Sequence, residues 1–207
     1  MMEIRSTEIK DLPLVMEIYD YARAFMRATG NTTQWIDGYP SEVLIRQEIE
    51  DGHSFVCIDE QGEILGTFCF ILGDDPTYQQ IYEGTWLNNE PYGVIHRLAT
   101  NGKQKGVSET CLNWCFERWP NLRVDTHRDN KVMQHILTKY GFQRCGIIYV
   151  KNGTERIAYQ MTRVPPVPGQ LPDLLSGNAF HLPEGFFNGM PVIFIPERLG
   201  TQYDTGN

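Results

Sequence analysis

The segment from Tyr92 to Pro120 constrains the fold more than any other part of this chain. An apolar run from Tyr92 to Thr100 reads as a strand and passes into Asn101-Gly102-Lys103-Gln104-Lys105-Gly106. Beyond it Val107, Cys111, Leu112, Cys115, Phe116 and Trp119 recur at helical spacing, and Pro120 closes the helix. The order strand, glycine-bearing loop, helix puts a helix N-terminus beside Gly106. Its unpaired N–H groups and partial positive charge suit phosphate. Gly106 permits a close approach or a positive φ, and Lys103 and Lys105 add charge. Neither GxxxxGK[ST] nor GxGxxG is present. By spacing alone, a plain strand-to-helix turn fits equally well.

Further elements surround this unit. Met2 to Thr7 alternates as an edge strand. Asp11 is expected to cap a helix with Leu12, Val15, Ile18, Tyr19, Ala22, Phe25 and Met26 on one face, stopped by Gly30. Ser41 caps a shorter helix over Val43 to Ile49. His53 to Asp59 and Ile64 to Leu72 read as a hairpin turning at Glu60-Gln61-Gly62. A long connection rich in aromatic residues (Tyr78, Tyr82, Trp86, Tyr92) follows, and loops of that length are often functional. After the central unit come a strand at Leu122 to Thr126 and a helix from Asn130 burying Val132, Met133, Ile136, Leu137 and Tyr140, ended by Gly141. A last hairpin, Ile147 to Val150 and Arg156 to Met161, is expected to turn at the two residues Asn152-Gly153.

Composition narrows the function. With 207 residues, 41% hydrophobic and 21% charged, the chain can bury one substantial core. The net charge of -8 disfavours a duplex nucleic-acid partner. No apolar run approaches the roughly 18 residues of a membrane span, and the N-terminus lacks the pattern of a secretory signal. The five cysteines form no CxxC and read as buried thiols in a reducing, cytoplasmic compartment, with no metal site.

Two stretches in register are similar to the GNAT N-acetyltransferase superfamily. In that family a strand leads into [QR]-x-x-G-x-[GA], whose amides hold the pyrophosphate of acetyl-coenzyme A. This chain has Lys103-Gln104-Lys105-Gly106-Val107-Ser108, with Lys103 in the first position and Ser108 in the last. The second stretch is Asp125-Thr126-His127-Arg128-Asp129-Asn130, then Met133, then Lys139-Tyr140-Gly141-Phe142. It resembles the family's later strand, N-x-x-M helix and Gly-Phe pair. The element order from Met2 to Met161 matches as well.

The resemblance implies an α/β (α+β) fold: a mixed, mostly antiparallel sheet, splayed between the Tyr92–Thr100 and Leu122–Thr126 strands and flanked by helices. It implies acetyl-coenzyme A bound by Leu98, Ala99, Thr100, Lys103, Gln104, Lys105, Gly106, Val107, Ser108 and Asn130. Acetyl would then pass directly to a primary amine of a small or amino-acid-like acceptor. His96 matches a histidine assigned to proton removal in the serotonin N-acetyltransferase branch. By strand alternation it is expected to share a face with Val94, Leu98 and Thr100, with His127 and Asp125 as alternative bases. Many members supply a tyrosine acid where this chain has Leu137. That departure keeps a second reading open, a non-catalytic acyl-coenzyme A-binding or sensing module.

Trp35, Tyr39, Glu83, Trp86 and Tyr92 are candidates for the acceptor pocket. Seven of the twelve prolines lie at Pro165 or beyond. That shift divides the chain into an acetyltransferase-like domain at 1–163 and a proline-rich extension at 164–207. The extension's apolar Met190–Ile195 run reads as a short strand packing on the body or on a second subunit, as in a homodimer.

Overall fold

The computed structural model describes residues 1–73 and 75–163. The extension at 164–207, with its expected strand and packing, lies outside the described residues.

Seven strands form one sheet: β1 (Glu3–Ser6), β2 (Ser54–Ile58), β3 (Ile64–Leu72), β4 (Gly93–Thr100), β5 (Asn121–Thr126), β6 (Gln143–Tyr149) and β7 (Glu155–Thr162). Their order is β1-β2-β3-β4-β5-β7-β6, antiparallel throughout except for the parallel pair β4–β5. That pair is brief. Gly93 aligns with Leu122 and Val94 with Arg123, after which the strands part. The mixed, splayed sheet matches the expected architecture.

Four helices cover the two faces: α1 (Leu12–Ala28), α2 (Glu42–Glu50), α3 (Val107–Arg118) and α4 (Lys131–Tyr140). Leu12, Val15, Ile18 and Tyr19 of α1 join Ile45 of α2, Val56, Ile64 and Ala99 in one core cluster. Cys111, Leu112, Cys115 and Phe116 of α3 join Leu137 of α4, Phe68, Phe70 and Ile95 in another. A third cluster, Tyr78, Tyr92, Val94, Ile148 and Ala158, is closed over by Ile81 and Trp86. The aromatic connection between β3 and β4 therefore builds core as well as surface.

Local signals act largely as their chemistry requires. Ser41 Oγ accepts the Leu44 N–H at 3.2 Å to cap α2, and Asn130 Oδ1 accepts the Met133 N–H at 3.1 Å to cap α4. Asp11 departs from expectation. It stands at the α1 N-cap without a capping bond, because its carboxylate pairs with Arg5 (2.6 Å) and accepts the Glu8 N–H (2.9 Å). The last hairpin also differs. Val150 N–H bonds Thr154 O at 3.0 Å, so three residues, Lys151, Asn152 and Gly153, make the turn. Asn152 Oδ1 accepts the Thr154 N–H, and Gly153 takes the positive φ of 77°. Among the described residues no helix is long and apolar enough to cross a membrane.

Candidate active site

Where β4 and β5 separate, a cavity of about 980 Å³ opens. A recess of about 230 Å³ adjoins it at the start of α3 and shares Thr100, Ser108 and Ile136 with it. Gly106, at φ 84°, is the N-cap of α3 and offers no capping side chain. The first-turn N–H groups of α3 therefore stand without a side-chain acceptor, beside a recess lined by Gln104, Gly106, Val107 and Ser108. A Cβ at position 106 would touch only Met2 Cε, at 3.7 Å. The backbone angle, not crowding, is what calls for glycine there. Leu98, Ala99 and Thr100 carry the wall onward, and Asn130, Met133 and Ile136 face it from α4.

The other end of the cavity is organised by an irregularity in β4. Cys69 pairs with His96 but Thr67 pairs with Ala99, so β4 carries one extra residue against β3. Arg97 takes a positive φ of 53° at this bulge. The alternation of side chains therefore shifts by one. Ile95 and Leu98 face the α3 core, while Ala99 joins the α1 core. This corrects the expected shared face of His96, Leu98 and Thr100, which holds only for a strand without a bulge. Arg97 is held by an ion pair with Glu48 of α2 and donates to Tyr39 Oη at 2.9 Å. Glu48 Oε2 and Arg97 Nε are buried without a partner. Burial opposes the Arg97 charge, yet Tyr39 and Glu48 together push its pKa up. Trp35, packed edge-on against Tyr19 at 5.6 Å, and Phe25 and Ile36 add an apolar border. Phe25, grouped with the α1 core by its spacing, is 43% exposed and faces this cavity instead.

Between the two ends lies a polar chain. His96 Nε2 is 2.9 Å from Asp75 Oδ2, and Thr77 N–H donates to Asp75 Oδ1 at 2.8 Å. Burial disfavours the Asp75 charge, but the bonds to His96 and Thr77 outweigh it and hold the carboxyl below its usual value. Tyr78, fully buried, sets its ring edge-on to His96 at 5.8 Å and donates to Asp125 Oδ1 at 2.5 Å. Arg156 Nε stands 3.7 Å from the other Asp125 oxygen.

The candidate residues separate clearly. His96, Asp125, Leu98, Ala99, Thr100, Ser108, Asn130, Trp35 and Tyr39 line the large cavity; Gln104, Gly106 and Val107 line the recess. Lys103 turns to Glu63, and Lys105 lines neither space. His127 lies outside the lining as well. Its Nδ1 lies 3.2 Å from the Asp129 backbone nitrogen and 3.4 Å from Asp129 Oδ2, and its Nε2 is 3.4 Å from Thr33 Oγ1. Burial and then Arg156 hold its pKa below the usual value, against the pull of Asp129.

Glu83, Trp86 and Tyr92 do not line the cavity, contrary to expectation. Tyr82 bridges to Ile147 and draws the connection toward β6. Trp86 stacks on Tyr78, and Trp86 and Tyr92 enclose the Arg123 guanidinium at 4.0 and 3.8 Å. Conversely, Asp75, Tyr78, Glu48, Arg97 and Arg156 were not foreseen. Two signals in the sequence bear on two of them: the Asp75-Pro76 turn, and a lone charge, Arg97, inside an apolar strand. Among the described residues no group of three or more His, Cys, Asp or Glu is placed to hold a metal ion.

No family model matches the chain, and no curated protein matches it. Solved structures do. A GNAT-family acetyltransferase from Listeria monocytogenes 4b F2365 shares the fold at 20% identity, with a TM-score of 0.57 over 77% of this chain and 93% of its own. One from Bacillus anthracis does so at 16% identity, with a TM-score of 0.52 over 78% and 94%. A GNAT-family acetyltransferase from Streptococcus agalactiae 2603 superposes with a TM-score of 0.72 and covers 78% of this chain. Since that likeness holds at 36% identity over 95% of the streptococcal protein, the chain belongs to the GNAT family of acetyltransferases.

Proposed function

We propose that this protein transfers acetyl from acetyl-coenzyme A to a primary amine of a small or amino-acid-like acceptor, by direct attack, with His96 receiving the proton. The observation that carries this reading is one continuous cleft. It runs from the uncapped N-terminus of α3, past the backbone of Leu98 to Thr100, to His96. The donor set fits the cofactor: free amides suit a pyrophosphate, and the parted strands leave room for an extended arm. When bound, acetyl-coenzyme A supplies an acyl group already activated as a thioester.

The protein's own groups do the rest. The acceptor enters beside Trp35, Tyr39 and Phe25, and His96 takes the proton that the amine must lose to attack. Asp125 is a poorer base because Tyr78 and Arg156 already occupy its oxygens. The α4 position that carries a tyrosine in many relatives is Leu137, fully buried in the core. Tyr140 is bound to Asn113, and burial pushes its pKa up to about 12. A thiolate is a weak enough base to leave unprotonated and take its proton from water.

The buried Leu137 is also the observation favouring the second reading, a non-catalytic acyl-coenzyme A sensor. A panel of phenethylamine, putrescine, spermidine and the common amino acids separates the two. Acetylated product by mass spectrometry supports the enzyme; coenzyme binding without product supports the sensor. With an active acceptor, His96→Ala should lower kcat by roughly 10²–10⁴ while leaving coenzyme A affinity unchanged. A rate within a few-fold of wild type removes His96 from this role.

A further inference from the structure

We propose that Asp75 is a positioning residue that fixes the tautomer of His96, so that Nδ1 is the ring atom offered to the acceptor amine. The inference rests on the reading of His96 as the base and names the atom and the partner through which it acts.

The argument starts from the hydrogen-bond inventory of the pair. The Asp75 and His96 side chains are 16% and 17% exposed, and Oδ2 and Nε2 are 2.9 Å apart. An ionised carboxylate only accepts, and Asp75 is held ionised by its bonds to His96 and Thr77. The proton between the two groups therefore sits on Nε2, and the lone pair of the neutral ring lies on Nδ1. His96 lines the cavity. Its Nδ1 has no protein hydrogen-bond partner among the described residues, and it is not among the sealed, unpartnered atoms.

The ring cannot swing freely, because the Tyr78 ring stands against it at 5.8 Å and 73°. Nor can the carboxylate turn. Its Oδ1 is held by the Thr77 N–H at 2.8 Å, where the chain enters the short helix Pro76–Tyr78. In the reaction an N–H bond of the acceptor breaks and the Nδ1–H bond forms. The resulting imidazolium keeps Nε2–H on Asp75, which stays ionised, and later returns the Nδ1 proton to water.

This geometry predicts an order of effects opposite to that of a packing role. In Asp75→Asn the side-chain oxygen stays on the Thr77 N–H, so the new amide nitrogen replaces Oδ2 and donates to Nε2. The ring proton is then forced onto Nδ1 and the base is blocked. Asp75→Ala merely releases the ring to both tautomers. The isosteric variant should thus be the slower one, with kcat down roughly 10²-fold or more against about 10-fold for alanine. A purely structural carboxylate would give the reverse order.

The test uses the full chain. Long-range ¹H–¹⁵N spectra of histidine-labelled protein, at a pH where the ring is neutral, report the tautomer without any ligand. Steady-state rates use acetyl-coenzyme A and the best amine of the panel above. The expected result is Nε2–H in the wild type, Nδ1–H in Asp75→Asn, and the rate order wild type, Asp75→Ala, Asp75→Asn. A wild-type ring protonated on Nδ1, or an Asp75→Asn rate equal to or above that of Asp75→Ala, overturns the proposal. If neither variant folds, the wild-type spectrum decides alone: Nε2–H supports it and Nδ1–H overturns it. A fully active His96→Ala overturns the base reading and the catalytic part of this inference with it. That failure is distinguishable, since the wild-type ring would still show Nε2–H.

Discussion

Along the wall at the start of α3 the chain presents backbone: uncapped amides, a glycine at positive φ and the exposed edge of a splayed strand. Along the opposite wall, around the bulge in β4, it presents side chains held by one another: Arg97 by Glu48 and Tyr39, His96 by Asp75, Asp125 by Tyr78. The first wall is assembled from residues adjacent in sequence. The second draws on α2, the loop before it, and the connection after β3. A wall of local backbone keeps its chemistry whatever the neighbouring side chains become, whereas a wall of interlocked side chains fails or changes as a unit.

Three variants break or sharpen this contrast. The largest effect is expected at the backbone wall. Proline fixes φ near −65° and removes an N–H, whereas Gly106 sits at 84°. Gly106→Pro should therefore weaken coenzyme A binding by more than about 10²-fold, as lost charge-assisted hydrogen bonds imply. Calorimetry measures this, with circular dichroism showing the fold intact. An unchanged affinity in folded protein removes this loop from the cofactor site.

At the side-chain wall, Glu48→Ala removes the carboxylate that neutralises the largely buried Arg97 and leaves the Tyr39 hydroxyl to hold it. It should cost about 3–5 kcal/mol of stability in urea unfolding. Coenzyme A affinity measured under native conditions should not move. A loss of coenzyme affinity with little loss of stability would erase the distinction between the two walls.

The smallest effect concerns pH. His127, beside the cavity, has its folded pKa lowered by burial and by Arg156. Its contribution to stability is full above the ordinary histidine value of about 6.5 and is lost as pH falls through the lower folded value. His127→Gln should flatten the fall of the urea midpoint between about pH 7 and 5. Parallel curves for wild type and variant would show that His127 does not set this slope.

The same contrast explains what could be read in advance. Helical and alternating periodicity located the elements, because each core face repeats within a few residues: Val15, Ile18 and Tyr19, or Cys111, Leu112 and Cys115. The recess at Gly106 was legible for the same reason. The bulge was not, because an extra residue in β4 is defined by how Thr67 and Cys69 of β3 pair with it. Nor was the fate of Trp86 and Tyr92. Arg123, buried in β5, takes both rings as its cover, and nothing near position 90 announces that demand.

All five cysteines of the chain are free and buried. Burial pushes up Cys69, Cys115 and, to about 11, Cys145; the hydrogen bond between Cys57 and Cys111 lowers the first thiol and raises the second, and both are fully buried, so access rather than pKa protects Cys57. The folded protein therefore offers a colorimetric thiol reagent almost nothing to react with. On the proposed reading each transfer, by contrast, liberates one exposed coenzyme thiol. The protein is transparent to the reagent that reports its own product, so turnover on any amine can be followed continuously against a dark background, and slow extra colour marks molecules that have opened.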